Sequence, residues 1–216
     1  MQLAHKIEIK ANNKQKTYFK KACGVARFEY NWGLNERNKQ YKDGKKPSGF
    51  SLKKEFNAIK KEQFPWTGEV TKYAAQQPFI DLQSAHVNYF EKRGERPVFK
   101  KKGISKDSFY IGGDQVKVKG NKLWVPNLGF ITLTELLRFN GKINSVTISR
   151  TADHWFAAVQ VETIDQTNFP EKEKSVGVDF GITKTCTLST GVSFCAPLPL
   201  KTYLRKLKRE QRKLRN

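Results

Sequence analysis

The stretch Ser175-Val176-Gly177-Val178-Asp179-Phe180-Gly181-Ile182 decides how this chain is read. An apolar run that ends in Asp-x-Gly predicts a buried strand with its carboxylate left at the margin of a sheet. Thr185–Ser189 and Val192–Cys195 follow as a hairpin around Thr190-Gly191. Pro197 and Pro199 then set the hairpin apart from a last helix, in which Leu200, Leu204, Leu207 and Leu214 share one face.

Working outward, the acidic, proline-containing stretch Asp165–Lys174 reads as a linker. Before it, short strands are expected at 109–111, 116–118, 123–125 and 130–133, and a longer pair at 143–150 and 155–163, suggesting a small antiparallel barrel or sandwich. The first ninety residues read differently. Leu3, Ile7 and Ile9 alternate as one strand, and residues 14–42 carry a helical period through Tyr18, Phe19, Ala22, Val25, Ala26, Tyr30, Gly33 and Leu34. Ser51 is the expected N-cap of a second helix with Leu52, Phe56 and Ile59 inward and Pro65 at its end. A third helical pattern over 69–92 places Val70, Tyr73, Ala74, Phe79, Leu82, Ala85, Tyr89 and Phe90 inward, with Pro78 either opening a helix or kinking one. The order of helices, then strands, then three strands and a helix predicts an α+β fold. Three antiparallel strands followed by a helix is also how an RNase H-like domain begins.

The 216 residues hold 41 Lys+Arg against 20 Asp+Glu, a net charge of +21, while hydrophobic residues make up 38%. That apolar content supports a core, so the charge is not that of a disordered polycation. A surface so positive calls for a polyanionic partner. Cys23, Cys186 and Cys195 are far apart and form no CxxC, which argues against a disulfide framework and a zinc site in this stretch. No apolar run nears the ~20 residues of a bilayer span, and the opening MQLAHKIEIK is not a signal peptide. A cytoplasmic protein without membrane contact is expected.

Three constellations carry chemistry. Asp179 at a strand end is placed to ligate a divalent cation, and Mg²⁺ prefers such hard oxygen ligands. The same strand–Asp–x–Gly pattern also opens the phosphate hairpin of actin-like kinases, and an Asp capping the turn before Gly181 is the structural alternative. Arg93, Arg96, Lys100, Lys101 and Lys102, with Phe99 between, form a basic stretch that is either a phosphate-binding loop or a solvated connection. The last sixteen residues carry Lys201, Arg205, Lys206, Lys208, Arg209, Arg212, Lys213 and Arg215 against Glu210 alone. Like charges one turn apart repel, and phosphates would relieve them, with an ordinary exposed helix as the alternative. His5, His86 and His154 are isolated and are not expected to be catalytic. Trp32, Trp66, Trp124 and Trp155 are expected as core anchors, with base stacking as the alternative.

These pieces together resemble the transposon-encoded TnpB (OrfB) proteins, RNA-guided DNA endonucleases related to type V CRISPR effectors. The resemblance is carried by Ala26-Arg27-Phe28-Glu29-Tyr30-Asn31-Trp32, by Glu69-Val70 through Gln76, by Pro97-Val98-Phe99-Lys100-Lys101-Lys102, by Leu123-Trp124-Val125-Pro126-Asn127-Leu128-Gly129, by Gly177-Val178-Asp179-Phe180-Gly181-Ile182 and by Leu204-Arg205-Lys206-Leu207. It implies a helical recognition domain (11–108) inserted in a wedge-type β barrel (1–10 and 109–170), followed by the start of a RuvC-like nuclease domain (171–216). It implies a guide RNA from the transposon end, a double-stranded target DNA, and Mg²⁺ with Asp179 as catalytic and metal-binding carboxylate. Phe50, Lys72 and Gln76 fall on positions that face DNA in the family. Arg96, Lys100, Lys101, Lys102, Arg205, Lys208, Arg209 and Arg212 are the further nucleic-acid-binding candidates.

The chain departs from the family in three ways. It reaches about half the family's length, it supplies one of three catalytic carboxylates, and it puts Pro78 where a plain helix is expected. Two Mg²⁺ ions about 4 Å apart need more than one carboxylate. The leading expectation is therefore the N-terminal part of an RNA-guided DNA endonuclease, unable to cut as these 216 residues. The alternative is a cleavage-inactive RNA- or DNA-binding regulator that works as it stands. An actin-like ATP-binding domain fits worst, because only 37 residues follow Asp179.

Overall fold

In this computed structural model, residues 1–163, 176–181, 184–195 and 199–214 are described. The chain divides into two compact units, Met1–Asp165 and Gln166–Asn216, each considered by itself. The expected linker at 165–174 lies outside the described residues.

Unit 1 begins with strand β1 (Gln2–Lys10) and helix α1 (Asn13–Lys42). Asn12 caps α1 reciprocally with Gln15: the Asn12 side chain accepts from the Gln15 amide at 2.9 Å, and the Gln15 side chain accepts from the Asn12 amide at 3.0 Å. At 30 residues α1 runs about 45 Å, long enough to serve two cores. Helix α2 (Gly49–Gln63) starts one turn before the expected cap. Ser48 is the cap, and Ser51 is its third-residue partner, accepting from the Ser48 amide. Pro65–Glu69 form a 3₁₀ turn, which delays helix α3 to Lys72–Phe90. Pro78 lies inside α3, buried, and its missing N–H leaves the Ala74 carbonyl without its helical donor.

Strands β2 (Ser108–Gly112), β3 (Lys117–Lys119), β4 (Lys122–Val125), β5 (Gly129–Leu133), β6 (Lys142–Thr151) and β7 (His154–Glu162) complete the unit. With β1 they form one seven-stranded sheet in the order β2-β6-β7-β1-β5-β4-β3. All its pairs are antiparallel. The α+β reading holds. The three helices enter the chain between β1 and β2, two strands of the same sheet.

Period-two alternation sends one face of the sheet inward. Ile7, Ile9, Leu123, Ile131, Val146, Ile148 and Val159 pack there with Phe19, Ala22 and Val25 of α1. The Phe19 ring lies 5.1 Å from that of Trp155. A second core joins the far half of α1 to α2 and α3 through Tyr30, Leu34, Leu52, Phe56, Phe79 and Leu82. Each of these side chains contributes on the order of 1.5–3 kcal/mol when fully buried. Tyr18 ties three segments together: its hydroxyl donates to the Pro126 carbonyl at 2.8 Å and accepts from the Thr71 amide at 3.0 Å.

Two of the four tryptophans depart from expectation. Trp155 is buried and Trp32 packs on the second core, but Trp66 is 42% exposed and Trp124 37%. Trp124 lies on the outward face of β4 in edge contact with Phe130, because it alternates with the buried Leu123 and Val125.

Unit 2 holds β8 (Val178–Asp179), β9 (Cys186–Leu188) and β10 (Ser193–Phe194) as an antiparallel sheet in the order β10-β9-β8, then helix α4 (Pro199–Lys213). The expected hairpin and helix are present, but β8 is not the buried central strand that its apolar run suggests. It is an edge strand, and Val178 is 51% exposed. Among the described residues of this unit nothing covers it. The leucine face of α4 is likewise exposed at Leu200, Leu204, Leu207 and Leu214.

Candidate nucleic-acid interface

Lys72 opens α3, where its ammonium lies 3.1 Å from the Asp114 carboxylate and 4.9 Å above the Tyr73 ring. Asp114 also accepts from the Tyr73 hydroxyl. The hydrogen bonds from Tyr73 and Lys72 hold its carboxyl below the ordinary range, and the same bond pushes the Tyr73 phenol up. The contact needs the glycines at the end of β2. A methyl at Gly112 would come within 2.4 Å of the Tyr73 ring, and one at Gly113 within 2.1 Å of the Ile143 carbonyl oxygen. Both partners of the Lys72–Asp114 pair are about half exposed, so the pair adds little stability and its ammonium remains exchangeable.

Gln76 is half-buried one turn further along α3. Phe50, in the first turn of α2, is 74% exposed, with Lys53 beside its ring. The start of α2 docks on α3 through Gln83, whose side-chain oxygen accepts from both the Gly49 amide (3.0 Å) and Arg37 (3.1 Å). Phe50 therefore stands on a fixed helix end within a few turns of Gln76.

The basic loop divides into unlike parts. Asn31 grips the Lys100 backbone twice: its amide donates to the Lys100 carbonyl at 2.9 Å and its oxygen accepts from the Lys100 N–H at 2.8 Å. This turns the Lys100 ammonium onto the Tyr30 ring, 3.9 Å from its centre. Burial lowers the Lys100 pKa, with Asp81 opposing. Lys100 is thus a half-buried anchor rather than an open cation. Lys101 and Lys102 follow on a short turn, closed by the Lys101 amide donating to Ser105 Oγ at 2.9 Å, and both are exposed. Arg96 is exposed as well, whereas Arg93 pairs with Glu91. Nearby, Arg27 donates to Asp107 at 2.8 Å in a largely buried pair.

In unit 2, Asp179 is exposed and faces Thr187 across the β8–β9 ladder, with Ser193 opposite Thr187 on β10. A single exposed carboxylate does not make a magnesium site. Among the described residues no three of His, Cys, Asp and Glu come together. The other acidic residue in the described part of this unit, Glu210, is engaged by Arg209 at 3.4 Å and Lys213 at 3.1 Å. Arg205, Lys208, Arg209 and Arg212 are exposed on α4. No described helix is long and apolar enough to cross a membrane.

His5 and His154 serve structure. His5 is buried in β1, with Nδ1 accepting from the Arg138 amide at 3.3 Å, and His154 pairs with Glu8. His86 is anchored to the Leu82 carbonyl.

Residues 1–46 match the OrfB family model described as a helix-turn-helix domain. Here that segment is β1 with the single helix α1, and α2 follows only after it. Over 213 residues, 98% of its length, the chain is 27% identical to InsQ of Escherichia coli (strain K12), whose name marks it as a proposed RNA-guided DNA endonuclease. The chain is a relative of the OrfB/TnpB proteins. A second relative, from Streptomyces pristinaespiralis and also named as a proposed RNA-guided DNA endonuclease, is 28% identical over 201 residues and 90% of this chain. The chain spans about half the length of these curated relatives, 53% and 50%.

Proposed function

We propose that this OrfB/TnpB relative binds a guide RNA and DNA as part of an RNA-guided DNA endonuclease. The observation that carries the reading is the loop after α3. Asn31 pins its backbone and Lys100 folds back onto Tyr30, while Arg96, Lys101 and Lys102 stand in solvent. An ordered loop that holds cations out is suited to phosphate, because the ordering cost is met before binding.

In this reading the seven-stranded sheet is the wedge-type barrel and α1–α3 the recognition helices. Their insertion between β1 and β2 supports that division. Phe50, Lys72 and Gln76 face the DNA, with Lys72 exchanging Asp114 for a phosphate. Unit 2 is the start of a RuvC-like domain, with Asp179 as its first carboxylate and Arg205, Lys208, Arg209 and Arg212 directed to RNA. Two-metal cleavage needs several carboxylates, so the polypeptide of these 216 residues binds without cutting.

The test is Lys101→Ala with Lys102→Ala, keeping Lys100. Removing two phosphate contacts should lower the slope of log K against log salt by about 2 on structured RNA. An unchanged slope would make the loop a solvated connection. For Asp179, cleavage of labelled target DNA by the 216-residue polypeptide but not by its Asp179→Ala form would overturn the statement that it does not cut.

A further inference from the structure

The C-terminal ends of α1 and α3 and the loop beyond α3 enclose a cleft of about 600 Å³. Its walls are aromatic: Tyr41 from α1, Tyr89 and Phe90 from α3, and Phe99 from the loop. All four rings are open to solvent, at 49%, 40%, 58% and 49% exposure. Aromatic surface gathered at one opening is what binding sites expose and monomer surfaces avoid.

The charge around the cleft is of one sign. Arg37, Lys39, Lys42 and Arg96 line it, and no carboxylate does. Lys39 is neutralised by Glu36 at 2.8 Å, and Arg37 is spent on Gln83. Lys42 and Arg96 have no ion-pair partner among the described residues. At the inner wall, His86 Nδ1 lies 2.9 Å from the Leu82 carbonyl oxygen. A carbonyl only accepts, so Nδ1 carries the hydrogen and Nε2 keeps a lone pair. Burial, with Arg37 and Arg96 nearby, holds this ring below the ordinary histidine range, so it is neutral at pH 7. Asn35 and Asn38 add amides to the rim.

π-faces, two free cations, a neutral acceptor and two amides within one cleft make up the chemistry of a nucleotide site. We propose that this cleft takes an unpaired RNA nucleotide, its base stacked on Tyr89 and Phe90 and its phosphate held by Arg96 and Lys42. The proposal rests on the nucleic-acid-binding reading above and adds a base-reading site to it. A base inside a duplex offers no face to stack on, whereas RNA loops splay their bases out. Charge excludes an apolar peptide as the better occupant, since the cations would be left facing it. The His86 lone pair suits an exocyclic amino group, which adenine and cytosine have and uracil lacks.

The test uses a hairpin RNA with an eight-nucleotide adenine-rich loop carrying one 8-vinyladenine, a fluorescent base that keeps the 6-amino group, a fully paired RNA of the same length, and a DNA hairpin of the same sequence. Tyr89→Ala with Phe90→Ala should weaken loop-RNA binding about tenfold or more, as the loss of base stacking does elsewhere. It should also remove the fluorescence quenching of the bound base, and leave paired RNA within about twofold of the parent. Tyr41→Ala, in the same lining but on α1, should act in the same direction, which separates the cleft from damage to α3. Parent-like affinity and quenching in both variants would overturn the site while leaving the nucleic-acid reading intact. Equal binding of the DNA hairpin would overturn the assignment to RNA. A parent protein that binds none of the three would bring down both readings.

Discussion

Glu29 offers the sharpest test of the packing. It lies in the middle of α1 with 0% exposure, and neither carboxylate oxygen has a hydrogen-bond partner. Burial pushes its pKa up from 4.5 to about 9, with Lys60 holding it down in part. Between those values the folded chain holds a proton that the unfolded chain has released. Stability must then fall as pH rises, by about 1.4 kcal/mol per unit. At pH 7, about 2.5 units above the unfolded value, the burden is on the order of 3 kcal/mol. Glu29→Met keeps the side-chain length and removes the titration. Any constant change in packing cancels when the two proteins are compared across pH. Urea unfolding from pH 5 to 8, followed by tryptophan fluorescence, should show the variant gaining on the parent by about 4 kcal/mol. At pH 7 the gain should approach 10 °C in Tm, at about 2–4 °C per kcal/mol for a unit of this size. Parallel pH profiles would mean that Glu29 is paired and ionised in solution.

Three further outcomes are expected. Gly112→Ala should displace Tyr73, separate it from Asp114 and cost about 1–3 kcal/mol, read by thermal unfolding, because the added methyl meets the ring at 2.4 Å. Asn31→Ala should release the basic loop, seen as faster amide exchange at Lys100, whose N–H bonds the Asn31 oxygen at 2.8 Å, and should weaken RNA binding without any loss of charge. Phe19→Ala should destabilise unit 1 by about 3–5 kcal/mol, since the ring is fully buried between α1 and the sheet, as urea unfolding would report.

Much of the architecture was legible because its periods are clean. The alternation of β7 and the three–four spacing in α1 each point to one buried face, and the structure buries those faces, whereas β6 buries Ser145 and Ser149 on its other face as well as the expected Val146 and Ile148. The start of α2 was misplaced by one turn because Ser48 and Ser51 are both good caps, and their mutual hydrogen bonds, which pattern does not reveal, decide which one leads. Trp124 was misread because tryptophan reads as core by type, while the pleat of β4 turns it outward. Tyr89 and Phe90 continue the apolar pattern of α3 past the end of the second core, so a periodic reading takes them inward when they line an open cleft. Two adjacent large rings at the end of the helix, which one face cannot both bury, are the available signal. Lys100 was grouped with Lys101 and Lys102 because sequence shows charge and not direction. Glu29 lies one turn from Val25 and one turn from Gly33, on the stripe that the period sends inward, but an acid reads as solvent-facing by type. Asp179 was legible as a strand-end carboxylate, but the burial of its strand was not, because that depends on what lies beside it.

The proposed binding predicts a surface that takes phosphate, and structured RNA above random duplex DNA. Filter binding of one structured RNA and one random DNA duplex, titrated from 50 to 200 mM salt, tests it most directly. With six or more phosphate contacts, affinity should fall by about 10³ or more over that range, and the RNA should bind more tightly than the duplex at every salt concentration. Affinity that stays flat with salt, or that favours the duplex throughout, would contradict the account.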